Sequence, residues 1–228
     1  MSNSPKQDDL FHDIMEHPIA DQILERANQA MEKEARHRAN FREWLTPSVK
    51  AEFINGEIVM HSPVKRRHLR VAENLHYIIG LYARKHNLGE VSIEKALIEL
   101  GRNDYEPDLA FWLKERTLEW DNDMMVHPAP DFIIEILSES TKDRDRNTKY
   151  VSYESHGVGE YWIIDPVKEL VEQFVLVSKP NSKDKFELQG TFGIDEVLTC
   201  LVLKDLVLPV AAIFDAQENM KFVTELTK

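Results

Sequence analysis

The run PDFIIEILSEST, residues 130–141, sets one carboxylate inside an apolar strand: Glu135 stands among Phe132, Ile133, Ile134, Ile136 and Leu137. A buried charge is costly unless a cation meets it. The sequence offers two kinds. One is Lys149, which shares a helical face with Asp145 and Tyr153 at successive i, i+4 spacing. The other is a divalent metal ion. Asp108 follows Pro107 at the head of the apolar run DLAFWL, and it becomes a second oxygen donor if the two strands are neighbours. Carboxylate oxygens in this arrangement suit Mg²⁺ or Mn²⁺, with water and phosphate filling the remaining positions. An ion so held activates water and clamps phosphoryl oxygens, which is what phosphodiester hydrolysis needs. Asp108 and Glu135 are then the metal ligands, Lys149 positions the water or neutralises developing charge, and Asp145 orients Lys149 from one turn away.

Each residue also has an ordinary reading. Asp145 with Lys149 is the pattern of a solvent-exposed helix pair, Glu135 could meet an Arg, and Asp108 could begin a strand after a turn. Asp131, after Pro130, competes for the role of Asp108, but it lies too close to Glu135 on one strand to bring a second strand's ligand. Glu57 is a candidate third acidic residue or a solvated strand end. His68 is a candidate phosphate contact or a helix anchor. Tyr153, Tyr161 and Trp162 read as core aromatics. An acid pair could also serve a glycosidase, which would need a sugar cleft and no metal.

Several elements must position these groups. Residues 19–45 are rich in strong helix formers and end before Thr46-Pro47-Ser48, which predicts one or two charged helices. AEFINGEIVM, residues 51–60, predicts a hairpin turning at Asn55-Gly56. Between Lys65 and Asn87, Leu69, Ala72, Leu75, Ile78, Ile79 and Tyr82 recur at helical spacing, and Asn87-Leu88-Gly89 supplies the stop. Strand-like runs follow (EVSIE, ALIEL, DLAFWL, DFIIEIL, EYWIID, LVEQFVLV, KFELQG), interrupted by a helix over about 141–155. Two strands flanking that helix imply a parallel crossover, so the expected fold is α/β, a mixed sheet flanked by helices. Residues 1–45 form a helical extension and 46–228 one domain.

Composition narrows the classes. A chain of 228 residues, 43% of them hydrophobic, can bury one good core. No apolar run approaches membrane-spanning length and the N-terminus lacks a signal pattern, so a cytoplasmic protein is expected. Cys200 is the only cysteine, which excludes a disulfide framework and a cysteine-based zinc site. A formal net charge of -12 argues against wholesale coating of nucleic acid. It leaves room for a local basic face, at KRRHLR (Lys65, Arg66, Arg67 and Arg70) and at Arg144 and Arg146. The plain alternative is a solvated helix surface.

The ordered set FINGEIVMHSP with His68, Pro107-Asp108, APDFIIEILSEST with Asp145, Lys149 and Tyr153, and GVGEYWIIDP resembles the Uma-two group of restriction-endonuclease-like proteins within the PD-(D/E)XK nuclease superfamily. The resemblance runs from about Phe41 to Phe214. It implies a restriction-endonuclease-like fold, Mg²⁺ (or Mn²⁺) as cofactor, DNA as the expected substrate and a homodimer, with the N-terminal helices serving dimerisation or substrate wrapping. It makes Asp108 the aspartate of the PD element and Glu135 the acid of the second element. The superfamily's lysine two positions after that acid is Leu137 here, and the resemblance moves its role to Lys149 on the following helix. The rival reading is a nuclease fold that has lost catalysis and binds or interacts.

Overall fold

A computed structural model describes residues 7–180, 182–204 and 206–228. The described residues divide into two compact units between Thr46 and Pro47. The first holds two helices, α1 (Gln7–Met15) and α2 (Ala20–Trp44). The Ala-, Glu- and Arg-rich composition of α2 favours helix at nearly every position, and the chain turns extended at Leu45. The first six residues of the expected extension lie outside the described residues.

Among its described residues the second unit contains thirteen strands, with α-helical segments interposed at two places. In chain order they are β1 (Ala51–Ile54), β2 (Glu57–Met60), α3 (Arg66–His86), β3 (Gly89–Ile93), β4 (Leu97–Leu100), β5 (Asn103–Tyr105), β6 (Leu109–Leu113), β7 (Val126–His127), β8 (Phe132–Ile136), a crossover helix, β9 (Glu160–Asp165), β10 (Leu170–Val177), β11 (Lys185–Phe192), β12 (Val197–Cys200) and β13 (Leu206–Pro209). Helices Ala211–Phe214 and Ala216–Leu226 end the chain. The strands form a six-stranded mixed sheet in the order β11-β10-β9-β8-β6-β3, a five-stranded sheet β2-β1-β5-β4-β7, and the pair β12-β13. The architecture is α/β, as the sequence pattern implies, with β5, β7, β12, β13 and the C-terminal helices added to the expected set.

Local chemistry explains the punctuation. Asn55 and Gly56 both take positive φ (50° and 85°), the conformation that a two-residue hairpin requires, and β1 pairs antiparallel with β2 around them. Asn87 closes α3 in the left-handed region, and Leu88 N–H reaches back to the Ala83 carbonyl. Gly89 then brings β3 so close to β6 that a Cβ there would stand 1.9 Å from the Trp112 carbonyl oxygen.

Strand alternation divides the core between the two faces of the larger sheet. Phe132, Ile134 and Ile136 of β8, with Phe111, Trp162 and Ile164, pack against Leu75, Ile78 and Ile79 of α3 and against the C-terminal segments. The opposite parity, Ile133, Ala110, Trp112, Tyr161 and Ile163, packs with Ile98, Leu100 and Tyr105 of the smaller sheet and with Tyr153. Glu135 has the parity of Ile133 and belongs to this second face. β6 and β8 are antiparallel neighbours with Leu109 opposite Ile134. One step further along that register sets Asp108 across from Glu135.

Candidate active site

β8 and β9 run parallel, and the crossover between them is helical over residues 142–155. It is not a uniform α-helix: Lys142–Arg144 is α-helical, Asp145–Lys149 is a π-helical turn, and Tyr150–Ser155 is α-helical again. The widened turn buries both its ends, Asp145 and Lys149. Single π turns of this kind concentrate at functional sites.

Lys149, 1% exposed, carries its ammonium into a nest of carboxylates. Nζ lies 2.8 Å from Glu135 Oε1, 2.9 Å from Glu52 Oε1 and 3.6 Å from Asp145 Oδ1. Tyr153 donates its hydroxyl to the same Glu135 oxygen at 2.7 Å. The i, i+4 alignment of Asp145, Lys149 and Tyr153 is therefore present, but as the lining of a buried charge cluster and not as an exposed helix pair. Burial would lower the Lys149 pKa, yet Glu135, Glu52 and Asp145 together drive it well above the ordinary lysine value. One lysine cannot neutralise three acids. Burial would raise Glu52, but Lys149 and then His61, 3.1 Å away, hold it down to about 2. Glu135 receives less compensation: burial, with the fields of Asp145, Asp108 and Glu52, pushes it up to about 8 against the pull of Lys149.

Asp108 sits just ahead of β6 and accepts the Ile136 N–H of β8 at 2.7 Å on one oxygen. Its other oxygen lies 3.2 Å from His68 Nε2 and 3.6 Å from Lys50 Nζ. Burial favours the neutral acid, but His68, Lys50 and the Ile136 N–H outweigh it and lower the Asp108 pKa. His68 reaches in from the first turn of α3, and its Nδ1 has no hydrogen-bond partner among the described residues. His68, Glu94 and Asp108 are the group whose donor atoms converge, within 4.8 Å of one another. Glu94 holds a left-handed φ of 66° directly after β3 and pairs with Lys50 at 2.7 Å. Asp108 is common to this trio and to the Asp108–Glu135 pair drawn from the sequence.

These groups border one cavity of about 380 Å³, lined by Lys50, His61, His68, Glu94, Glu106, Asp108, Glu135, Arg144 and Lys149 among others. Glu52 and Asp145 stand behind Lys149. Glu57 is exposed at the turn end of the hairpin, opposite Ile54, and does not line the cavity; Val59 and Met60 of the hairpin do, and Glu52 meets Lys149 behind the wall. Asp131, the rival of Asp108, accepts the Leu113 N–H and pairs with Arg116 at the other end of β6 and β8. Sequence reasoning overlooked Glu52, Lys50, His61, Glu94 and Glu106. The available signal for Glu52 was a carboxylate inside AEFI, the same anomaly that marked Glu135.

Arg66, Arg67 and Arg70 are exposed on the first turns of α3, which holds no acidic residue there. Arg67 also lines a second cavity, which shares Ser62, Pro63, Val64, His68, Ser138 and Ser140 with the first and whose wall carries Lys65, Lys142, Arg146 and Lys168 beside the acids Glu139 and Asp165.

A family model described as "Uma2: Putative restriction endonuclease" matches residues 38–211, most of the chain. The chain belongs to the Uma2 family. The match takes in β1 through β13 and therefore every residue of the cavity. Among solved structures, a "putative nuclease belonging to DUF820" from Anabaena variabilis is similar over 76% of this chain and 94% of its own, with a TM-score of 0.61 and 19% identity. At that identity the likeness shows the fold. No curated protein matched. Among the described residues no helix is long and apolar enough to cross a membrane.

Proposed function

We propose that this Uma2 chain is a metal-dependent endonuclease that hydrolyses phosphodiester bonds, with Mg²⁺ or Mn²⁺ as cofactor and DNA as substrate. The observation that carries the reading is an excess of buried carboxylates around an open cavity. Buried Glu106, Asp108 and Glu135 and half-buried Glu94 line it together with Lys50, Lys149 and Arg144, buried Glu52 and Asp145 lie behind Lys149, and the two lysines are already engaged by acids. Such a cluster is relieved by a divalent cation. Carboxylate oxygens suit these ions, so the acids of the set fit: Asp108 is the central ligand, with Glu135 and Glu94 as further oxygen donors and the His68 imidazole beside them.

The bound ion would supply an activated water and clamp phosphate oxygens. The residues of the chain do the rest. The Ile136 N–H and His68 fix the Asp108 carboxylate, and Lys149 with Tyr153 fix one oxygen of Glu135, so that both acids are preorganised. Lys149 acts as the counter-ion that holds Glu135 and Glu52 in place and, at the cavity wall, as a charge partner for the reacting phosphate. Arg66, Arg67 and Arg70 place cations at the positive end of a helix dipole, an unfavourable arrangement that a phosphate backbone would relieve. The name of the Anabaena variabilis protein, a putative nuclease, agrees with this chemistry. The N-terminal helices would serve dimerisation or substrate wrapping.

The test is nicking of supercoiled plasmid with Mg²⁺ or Mn²⁺ by the wild type and by Asp108→Asn, beside DNA binding measured in EDTA. Cleavage that needs metal and is lost in Asp108→Asn is expected. Binding without cleavage, equal in both proteins, would replace the enzyme with a nuclease-fold binding module.

A further inference from the structure

The convergent donors His68, Glu94 and Asp108 already have a cation among them, and it belongs to the chain. Lys50 Nζ stands 2.7 Å from Glu94 Oε2 and 3.6 Å from Asp108 Oδ1, while His68 Nε2 stands 3.2 Å from that same Asp108 oxygen. The Lys50 side chain is 20% exposed and lines the cavity, so its head is shielded but keeps a route outward. Its backbone is fixed directly ahead of β1, where its carbonyl accepts the His61 N–H at 3.0 Å. Only the four-carbon stem is left to move.

We propose that the Lys50 ammonium is a tethered occupant of the divalent-ion seat, so that Mg²⁺ or Mn²⁺ binds only when Lys50 swings out. The inference rests on the metal reading given above and adds a competitor to it. Charge favours the exchange. Glu94 and Asp108 bring two negative charges, the ammonium answers one, and a divalent ion answers both. The two cations cannot share the same oxygens, because at close range their repulsion in a partly desolvated cavity is large. In the metal-free protein Lys50 keeps the two acids from repelling each other. Once displaced it remains on its tether at the cavity rim, where its partner becomes a phosphate oxygen of the substrate. Compact, strongly hydrated and mobile, a lysine head suits this exchange better than a forked guanidinium.

A seat that is blocked for most of the time weakens apparent metal affinity by the fraction of time it stands open. The measurement is Mn²⁺ affinity by calorimetric titration of full-length wild type, Lys50→Met, Lys221→Met as a remote control, and Asp108→Asn. Lys50→Met should bind Mn²⁺ about threefold or more tightly than wild type and melt at a lower temperature in EDTA, while Lys221→Met matches wild type in both. Equal or weaker Mn²⁺ binding by Lys50→Met, with wild-type binding still lost in Asp108→Asn, would overturn the competitor and leave the metal site standing. No Mn²⁺ binding by any of the four would overturn both. Should Lys50→Met fail to fold, wild type answers alone. Acetylation by an amine-directed reagent, read by peptide mass spectrometry, should rise at Lys50 when Mn²⁺ is added and stay constant at Lys221. Unchanged Lys50 labelling would also sink the proposal.

Discussion

Glu135 and Glu160 are buried carboxylates on adjacent parallel strands, three residues apart along the register, and they are treated in opposite ways. Glu160 is saturated by donors that carry no charge. One oxygen accepts Trp162 Nε1 at 2.7 Å and Gln173 Nε2 at 2.6 Å, and the other accepts the Leu201 and Val202 N–H groups at 2.8 and 2.9 Å, with Cys200 Sγ at 3.4 Å. It ties β9 and β10 to the turn between β12 and β13. Glu135 has a lysine and a phenol on one oxygen, other acids nearby, and a cavity in front. A carboxylate closed off by fixed dipoles is a structural joint. One that stays electrostatically unsettled beside open space is poised for a ligand.

Substitution separates the two most forcefully at the joint. Glu160→Ala leaves two backbone N–H groups and an indole without their acceptor, while Gln173 keeps only the Thr199 carbonyl, a loss on the order of 3–9 kcal/mol at about 1–3 kcal/mol per orphan. Chemical denaturation should show little folded protein left. Near-wild-type stability would mean that burial alone, and not saturation, distinguishes the two sites.

Lys149→Met comes next. From the sequence, this substitution is expected to spare the fold and cost cleavage. The geometry adds a folding cost, because Glu52, Glu135 and Asp145 lose their shared cation, and breaking such a buried set costs about 3–5 kcal/mol. The double variant Lys149→Met/Glu135→Gln should recover part of that loss, since it removes one of the stranded charges. Denaturant midpoints of the two variants decide the matter; no recovery would place the cost in Glu52 and Asp145.

Glu135→Gln should behave in the reverse sense to Glu160→Ala, with cleavage lost on the order of a hundredfold or more and metal-free stability held or gained. The pH dependence follows from the sign of the shift. Glu135 titrates at about 8 in the fold against an ordinary value of 4.5. Below 4.5 both states hold the proton; between 4.5 and 8 only the folded state does, so stability falls as pH rises through that window. Melting curves in EDTA from about pH 5 to 8 should therefore decline more steeply for wild type than for Glu135→Gln. Parallel curves would show that Lys149 satisfies Glu135 after all.

The same comparison marks what a sequence can disclose. A continuous apolar run made β8 legible, the Asn55-Gly56 turn set the hairpin, and Asn87-Leu88-Gly89 stopped α3, because these signals are local. The i, i+4 line of Asp145, Lys149 and Tyr153 was local too, and Pro107-Asp108 entered the site through a strand pairing that two apolar runs suggest. Glu52 and Glu160 stayed hidden. Each sits in a strand that gives no hint of the partner sheet or turn its carboxylate will meet. Glu94 depends on a left-handed residue after β3, and Lys50 on how far a flexible stem reaches. β12 and β13 are short, with exposed Val197 and Val207 alternating with buried Leu198 and Leu208, and their pattern is faint beside the long buried runs.

The smallest expected effect lies outside both carboxylate sites, on α3. Arg66 and Arg67 are exposed, on a helix start with no acidic residue to balance them, in a chain whose net charge is -12. If they serve the substrate, they act on phosphates through counter-ion release, which is additive and uniform across sequences. Replacing both with Ala should weaken DNA binding moderately and flatten the plot of log affinity against log salt by about one unit for each phosphate that is no longer neutralised. Folding and Mn²⁺ affinity should not move, since neither side chain holds a carboxylate of the site. Fluorescence anisotropy with a labelled duplex in EDTA, across a series of salt concentrations, isolates this electrostatic binding from cleavage. An unchanged slope would return Arg66 and Arg67 to the solvated surface and leave the groove of Lys65, Lys142, Arg146 and Lys168 as the remaining path for a phosphate backbone toward Glu135.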